Sequence, residues 1–184
     1  MRELPELESK LHEYLTDTRA MERTVLRQLE ALIAATEDEL FRTSLKRHKL
    51  ETEQQIARLD ARLEVHYEDP SEIKEMTGQF VAFFKALRET LGGDKPARHA
   101  KDAFVMEHLE IAAYEILERL AEAAGDSETS RVARQNRAEE EAMARTLAAS
   151  WDRTVEETLR EGGLLAQATG RFARRPGSAA RATV

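Results

Sequence analysis

The chain has 184 residues and a net charge of −7, and alanine, leucine, glutamate and arginine dominate while glycine, proline and aromatic residues are scarce. This length suits one domain with a sizeable core, and this composition is typical of an all-α protein. Because there is no cysteine, disulfides, thiolate zinc sites and iron–sulfur clusters are excluded, so any metal must be bound by oxygen and nitrogen.

The charge is unevenly distributed along the chain. Residues 162–184 contain four arginines and no acid, so residues 1–161 have a charge of −11. This acidic body should repel nucleic acid and attract cations. The N-terminus MRELPELESK has no apolar signal core, and no stretch approaches the ~20 apolar residues of a membrane span. We therefore expect a cytoplasmic protein without a nucleic-acid or membrane partner.

Two long helices are predicted before residue 67. The first covers residues 6–35, where apolar residues recur at steps of three and four and Glu22 falls on the same stripe. The second covers residues 38–66, and Glu51 lies one step off its stripe, on the same face as His48. The residues of this second stripe are Phe41, Leu45, His48, Thr52, Ile56, Leu59 and Leu63.

Three further segments are predicted after residue 70. Residues 72–91 form a connecting helix whose apolar positions include no acid. A third main helix covers residues 96–124, with Glu107 and Glu110 on its stripe, and the turn after it contains Gly125. The last helix covers residues 127–160, with Ser127 as its cap and Glu140 on its stripe. Residues 162–184 are a basic tail that we expect to be disordered.

This order of elements predicts the fold class. Two hairpins with short turns are separated by a link of some thirty residues that contains a helix. In a four-helix bundle this means one long crossover connection, which is the ferritin-like arrangement. The expected organisation is a four-helix bundle over residues 1–161 and the tail over residues 162–184.

The acids on the four stripes also agree in depth. Glu22 lies 14 residues before the first turn and Glu51 15 after it, while Glu110 and Glu140 each lie 15 residues from the glycine of the second turn. At about 1.5 Å per residue, all four lie roughly 20 Å from their turns, near the middle of the bundle. Because burying an unpaired carboxylate costs many kcal/mol, acids that converge on one level predict a metal site. The candidate ligands are Glu22, His48, Glu51, Glu107, Glu110 and Glu140.

Four segments resemble the YciE/YciF family of bacterial ferritin-like proteins. They are DTRAME (17–22), HKLETEQQIARLD (48–60), MEHLEIAAYEIL (106–117) with AGD (124–126), and AEEEAMARTL (138–147). The YciE branch is the more similar, since its fourth helix also has paired acids before Met-Ala. The resemblance implies a ferritin-like bundle, usually a homodimer, linked to stress responses and with a dinuclear metal site.

The resemblance also assigns residues to that site. Glu22, Glu51 and Glu140 match the acids of the first, second and fourth helices, and Glu107 and Glu110 match an E-x-x-E pair. Ferritin-like oxidases commonly have E-x-x-H on the second and fourth helices. Here Gln54 and Met143 stand where the imidazoles would be, which leaves enzymatic turnover open.

The favoured hypothesis is a carboxylate-rich dinuclear centre of iron or manganese, because these metals suit oxygen ligands with few imidazoles. In this hypothesis the protein handles oxygen or peroxide under stress. The alternative is a metal-free structural or interaction bundle in which the acids pair with Arg19, Arg23 or Arg137, or face solvent. His48 is either a ligand or a donor that orients Glu51. Tyr114 either hydrogen-bonds a ligand acid or packs in the core. The aromatic cluster Phe80, Phe83 and Phe84 belongs either to the core or to a dimer contact.

Overall fold

Every long regular element in the part of the chain that the structure describes is an α-helix. The computed structural model describes residues 6–66 and 95–172. The α-helices are α1 (Glu6–Ala35), α2 (Glu39–His66), α3 (Lys95–Ala123), α4 (Ser127–Ala148) and α5 (Trp151–Glu161), and 3₁₀ helices follow at Leu165–Gln167 and Gly170–Phe172. The predicted bounds of α1, α2 and α3 are confirmed to within one residue. The predicted connecting helix over residues 72–91, with its aromatic cluster, lies outside the described residues.

Short turns join α1 to α2 and α3 to α4, and an aspartate caps the second helix of each hairpin. Asp38 accepts hydrogen bonds from the backbone amides of the second and third residues after it, at 2.9 and 3.3 Å. Asp126 accepts in the same way from the amide of Thr129 at 2.9 Å. The predicted cap, Ser127, is wrong: it is the first residue of α4, because Asp126 already bonds the amides of Thr129 and Ser130.

The four long helices pack as a bundle in which α1 contacts α2 and α3, and α4 contacts α3 and α2. Two groups of apolar residues fill its interior. The first apolar cluster consists of Met21, Val25, Leu29, Leu45, Ala103, Met106, Met143 and Leu147. The second apolar cluster consists of Leu11, Leu15, Leu59, Leu63, Tyr114, Leu117, Ala121 and Ala133. Burying these side chains is the main favourable contribution to the stability of the bundle.

The order in which each helix passes the two clusters gives its direction. The residues of α1 and α4 enter the second cluster and then the first, whereas those of α2 and α3 enter the first cluster and then the second. Consecutive α2 and α3 therefore run in the same direction, so the end of α2 and the start of α3 lie at opposite ends of the bundle. This confirms the ferritin-like fold with one long crossover connection.

The prediction of one continuous last helix over residues 127–160 is wrong. The structure ends α4 at Ala148 and begins α5 at Trp151. At the break, the Ser150 amide and the Ser150 hydroxyl both donate to the carbonyl of Leu147, at 2.9 and 2.7 Å. Such a local bond competes with the helical pattern, and neither proline nor glycine marks the position in the sequence. Helix α5 packs against α3.

The first part of the predicted tail forms two short 3₁₀ helices, and Nη1 of Arg171 donates to Oδ1 of Asp152 on α5 at 2.9 Å. Residues 173–184 lie outside the described part of the chain, so the expectation of a disordered tail stays a prediction. Among the helices that the structure describes, none combines the length and the apolar character needed to cross a membrane.

Candidate metal centre

A layer of buried polar side chains crosses the bundle between the two apolar clusters. Each of the four long helices contributes to this layer at the point where its contacts change from one cluster to the other. The polar layer consists of Thr18, Glu22, His48, Thr52, Gln55, Glu107, Glu110, Asn136 and Glu140, all buried. The apolar residues above and below it exclude water from the level at which the sequence predicts the site.

Four of the predicted ligands form the centre of the layer. His48, Glu107, Glu110 and Glu140 each offer a ligand atom, and these four atoms lie within 4.8 Å of one another. Nε2 of His48 lies 3.3 Å from Oε2 of Glu107 and 3.3 Å from Oε2 of Glu140. All four side chains are fully buried. Three helices thus bring three carboxylates and one imidazole to a single point.

Glu22 is buried in the same layer and is hydrogen-bonded to Tyr114, a residue of the second apolar cluster. Its Oε1 accepts a hydrogen bond of 2.5 Å from the Tyr114 hydroxyl, which in turn accepts one of 3.0 Å from Nδ2 of Asn136. Glu22 is also near enough to Glu110 for its charge to raise the pKa of Glu110. Tyr114 is therefore both a core residue and a hydrogen-bond partner of a candidate ligand.

Glu51 is the most exposed of the predicted ligands. Its side chain is 34% exposed, and its Oε2 is 3.4 Å from Nδ1 of His48. Because the other ring nitrogen of His48 faces Glu107 and Glu140, the imidazole lies between Glu51 and the buried acids. In this arrangement Glu51 is in a position to orient His48, as outer carboxylates orient the histidines of metal sites.

The structure adds a residue that the sequence analysis missed. Gln55 is buried, and its Nε2 donates to Oε1 of Glu140 and, at 3.1 Å, to Oε2 of Glu139. Arg58 binds both carboxylate oxygens of Glu139. The predicted stripe had Ile56 in place of Gln55, since both positions satisfy steps of three and four and isoleucine is the more apolar. The repeat His48, Thr52, Gln55 was a signal for the observed face, and these residues also lie in the segment HKLETEQQIARLD that supports the family resemblance.

The pKa values of Glu22, Glu110, Glu140 and His48 are shifted toward the protonated forms of these groups. Burial raises the pKa of Glu22 to about 7, although the Tyr114 hydroxyl opposes the shift. Burial, together with neighbouring carboxylates, raises the pKa of Glu110 and of Glu140 well above the usual range. For His48, burial lowers the pKa but contacts with Glu107 and Glu51 outweigh it, so the pKa is raised.

Among the described residues, the arginines of the predicted alternative do not neutralise the centre of the layer. Arg19 pairs with Asp60, and Arg137 pairs with Glu115 and Glu118. Within residues 6–66 and 96–172, no lysine or arginine pairs with the three central glutamates, Glu107, Glu110 and Glu140. Their ion pairs in that part of the chain are those with His48.

The donor atoms fit a bound cation. Six buried atoms of the predicted ligands have no hydrogen-bond partner in the described structure: Oε2 of Glu22, Nε2 of His48, Oε2 of Glu107, both carboxylate oxygens of Glu110, and Oε2 of Glu140. Buried polar groups almost always have a partner, so this concentration is unusual. Oxygen donors with a single imidazole suit iron or manganese better than copper.

Fold and site together define an all-helical ferritin-like bundle with a buried carboxylate and histidine cluster. The family model described as "Domain of unknown function (DUF892)" matches residues 6–160, and the chain belongs to this family.

Solved structures share the fold over nearly their full length. The Escherichia coli stress protein YciF is 26% identical with a TM-score of 0.71, and the match covers 83% of this chain and 98% of that one. A protein from Xanthomonas campestris is 25% identical with a TM-score of 0.70, covering 87% and 100%. YcfI from Rhodopseudomonas palustris is 26% identical with a TM-score of 0.66, covering 80% and 96%. The chain is thus YciF-like, and the assignment to the YciE branch stays a prediction.

Proposed function

We propose that this protein binds a dinuclear centre of iron or manganese in the polar layer and handles oxygen or peroxide with it under stress. The observation that supports this most strongly is the group of His48, Glu107, Glu110 and Glu140, each of which offers one ligand atom within 4.8 Å of the others. Across the four side chains, five buried polar atoms have no hydrogen-bond partner in the described structure. The similar E. coli protein is named a stress protein, which agrees with this role. A cytoplasmic homodimer is part of the same proposal.

The chain's own residues would prepare such a centre in three ways. The central carboxylates would hold the ions and balance their charge, with Glu22 extending the donor set beyond Glu110. Glu51 would fix the tautomer and orientation of the His48 ring. The two apolar clusters would exclude water, which strengthens every electrostatic interaction in the layer. A bound redox metal would supply the electrons and the Lewis acidity for reaction with oxygen or peroxide.

Metal analysis of protein purified without chelator tests the proposal first. We expect stoichiometric iron or manganese in the wild type and loss of that metal in the Glu107→Gln/Glu110→Gln double variant. The matched control is Glu115→Gln/Glu122→Gln, which removes two acids of the same helix that are more exposed and pair with arginines. Equal metal content in both double variants would place the metal elsewhere.

Two observations favour the second candidate, a structural or interaction bundle without catalysis. Gln54 is exposed, and Met143 is buried in the first apolar cluster, so neither position that holds an imidazole in ferritin-like oxidases offers a ligand here. Stopped-flow absorbance of the ferrous-loaded protein with peroxide separates the two functions. A rate above the buffer control that falls in Glu140→Ala would indicate catalysis. Bound metal without such a rate would indicate a structural or metal-sensing role.

A further inference from the structure

A continuous chain of polar contacts leads from the centre of the layer to the surface between α2 and α4. Glu140 accepts from Gln55, Gln55 also donates to Glu139, and Glu139 is held by Arg58. The outer members of this chain are partly exposed: Glu140 and Gln55 are fully buried, whereas the Glu139 and Arg58 side chains are 26% and 19% exposed. Along this path a cation would meet the carboxylate of Glu139, then the amide oxygen of Gln55, then the carboxylate of Glu140.

On either side of this point, other residues close the seam between α2 and α4. Toward the second turn, Nη2 of Arg62 lies 3.2 Å from Asp126 and its Nε donates to Thr129 at 2.9 Å. Toward the opposite end, Leu45 and Met143 belong to the first apolar cluster. Among the described residues of this seam, the partly exposed Glu139 is connected to the polar layer by one side chain, Gln55, which bonds both Glu139 and Glu140.

We propose that Glu139 is the uptake carboxylate for metal ions and that Arg58 closes this route as a competing cation. The proposal rests on the proposed function, because it concerns how ions reach the polar layer. The guanidinium of Arg58 occupies both oxygens of Glu139, so an arriving divalent ion must displace it. Gln55 has an Oε1 without a hydrogen-bond partner in the described structure, and this oxygen is available to an ion that passes from Glu139 to Glu140.

An uptake carboxylate and a resident ligand differ in which binding constants change when the residue is removed. Removing a resident ligand weakens the equilibrium affinity, mainly through faster dissociation. Removing an uptake carboxylate instead raises the barrier in both directions, which slows association and dissociation by the same factor and leaves Kd unchanged. Kinetics measured beside equilibrium binding therefore distinguish the two roles.

The experiment uses Co²⁺, whose visible absorption reports its binding, mixed with the metal-free full chain in a stopped-flow instrument. We expect Glu139→Gln to slow uptake about tenfold, since carboxylates that steer ions change association rates by roughly 10–10³. Arg58→Met should accelerate uptake, and neither variant should change Kd. The control is Glu141→Gln, which removes the same charge two residues away on the α4 face where Glu141 contacts Arg137 and Arg145. It should match the wild type.

Each outcome decides the proposal. If Glu139→Gln takes up Co²⁺ as fast as Glu141→Gln does, the uptake role of Glu139 is overturned. A weaker affinity with an unchanged association rate also overturns it. If Arg58→Met does not fold, Arg58→Lys keeps the charge without the paired donors and should still take up Co²⁺ faster than the wild type. If the wild type binds no Co²⁺ in the layer, the proposed function is overturned. If it binds Co²⁺ but these variants do not change the association rate, only the uptake role of Glu139 is overturned.

Discussion

Nδ1 of His48 lies 3.4 Å from Oε2 of Glu51, so the buried imidazole is in contact with an acid that reaches solvent. The opposite nitrogen of the ring faces Glu107 and Glu140 at 3.3 Å. The sequence left open whether His48 is a ligand or a donor toward Glu51. The geometry allows both at once, because the two nitrogens serve different partners.

The first prediction concerns Glu51→Gln. If Glu51 orients His48, this variant should keep the metal stoichiometry but bind about 10–100 times more weakly, as is typical when an outer partner of a ligating histidine is lost. Calorimetric titration with Mn²⁺ measures both quantities. Glu53→Gln, an exposed acid of the same helix that pairs with Lys49, is the control. Loss of one whole ion per chain in Glu51→Gln would instead make Glu51 a direct ligand, as the sequence predicts.

The second prediction concerns the pH dependence of the metal-free protein. An acid whose pKa is raised on folding binds more protons in the folded state, so stability falls as pH rises from the unfolded value of 4.5 through the folded value, about 7 for Glu22. Glu110, Glu140 and His48 have raised pKa values and act in the same direction. Thermal melts of chelator-treated protein should therefore show a lower Tm near pH 8 than near pH 5.

Metal loading provides the comparison for this pH dependence. Bound ions require deprotonated ligands and stabilise the folded state by mass action, so Tm should rise on loading, and most at the higher pH. Glu110→Gln removes one of the raised groups and should flatten the profile of the metal-free protein. A Tm of the metal-free wild type that increases from about pH 5 to 8 would contradict the buried placement of these acids.

The third prediction concerns Tyr114→Phe. Removing the hydroxyl leaves Oε1 of Glu22 and Nδ2 of Asn136 without the hydrogen bonds described above, which should cost about 1–3 kcal/mol of unfolding free energy. Urea denaturation of the metal-free protein measures this cost. Tyr14→Phe is the control, because Tyr14 packs at the edge of the same apolar cluster while only partly buried. Equal effects of the two substitutions would show that the hydrogen bonds to Tyr114 contribute nothing specific.

The fourth prediction concerns Asp126→Ala at the second turn. Loss of the helix cap should destabilise the protein by about 1 kcal/mol near neutral pH. Although burial alone would raise the pKa of Asp126, hydrogen bonds from Thr129 and His66 and the charge of Arg62 hold it well below 3.8. A carboxylate whose pKa is lowered on folding stabilises the folded state at pH values above its unfolded pKa. This contribution is lost as pH falls through the folded pKa. The difference from the wild type should shrink below about pH 4.

Denaturation at two pH values tests the fourth prediction. Asp152→Ala serves as the control, since Asp152 is 64% exposed and pairs with Arg171 on the surface. It should change the unfolding free energy little at either pH. A cost of Asp126→Ala that is the same near pH 3 as near pH 7 would show that the charge of Asp126 is not what stabilises the turn.

Periodicity alone determined the helices, because the repeat of apolar residues is a local property of a 3.6-residue turn. It placed α1 over the residues that the structure shows, and it placed Glu22, Glu107, Glu110 and Glu140 inside the bundle. The equal spacing from the turns also predicted their common depth, since the rise per residue of a helix is constant. Periodicity did not predict the break at Ser150, where the amide and the hydroxyl of one serine both bond the carbonyl of Leu147.

Tertiary packing decided the finer points of the site. The sequence could not choose between Gln55 and Ile56, since both fit the helical repeat and the choice depends on how α2 is rotated against α4. It likewise could not place Glu51 outside His48, because that depends on the side-chain directions of two neighbouring residues. Helical spacing fixes which residues share a face, whereas contacts with the opposite helix decide which of them reach the centre.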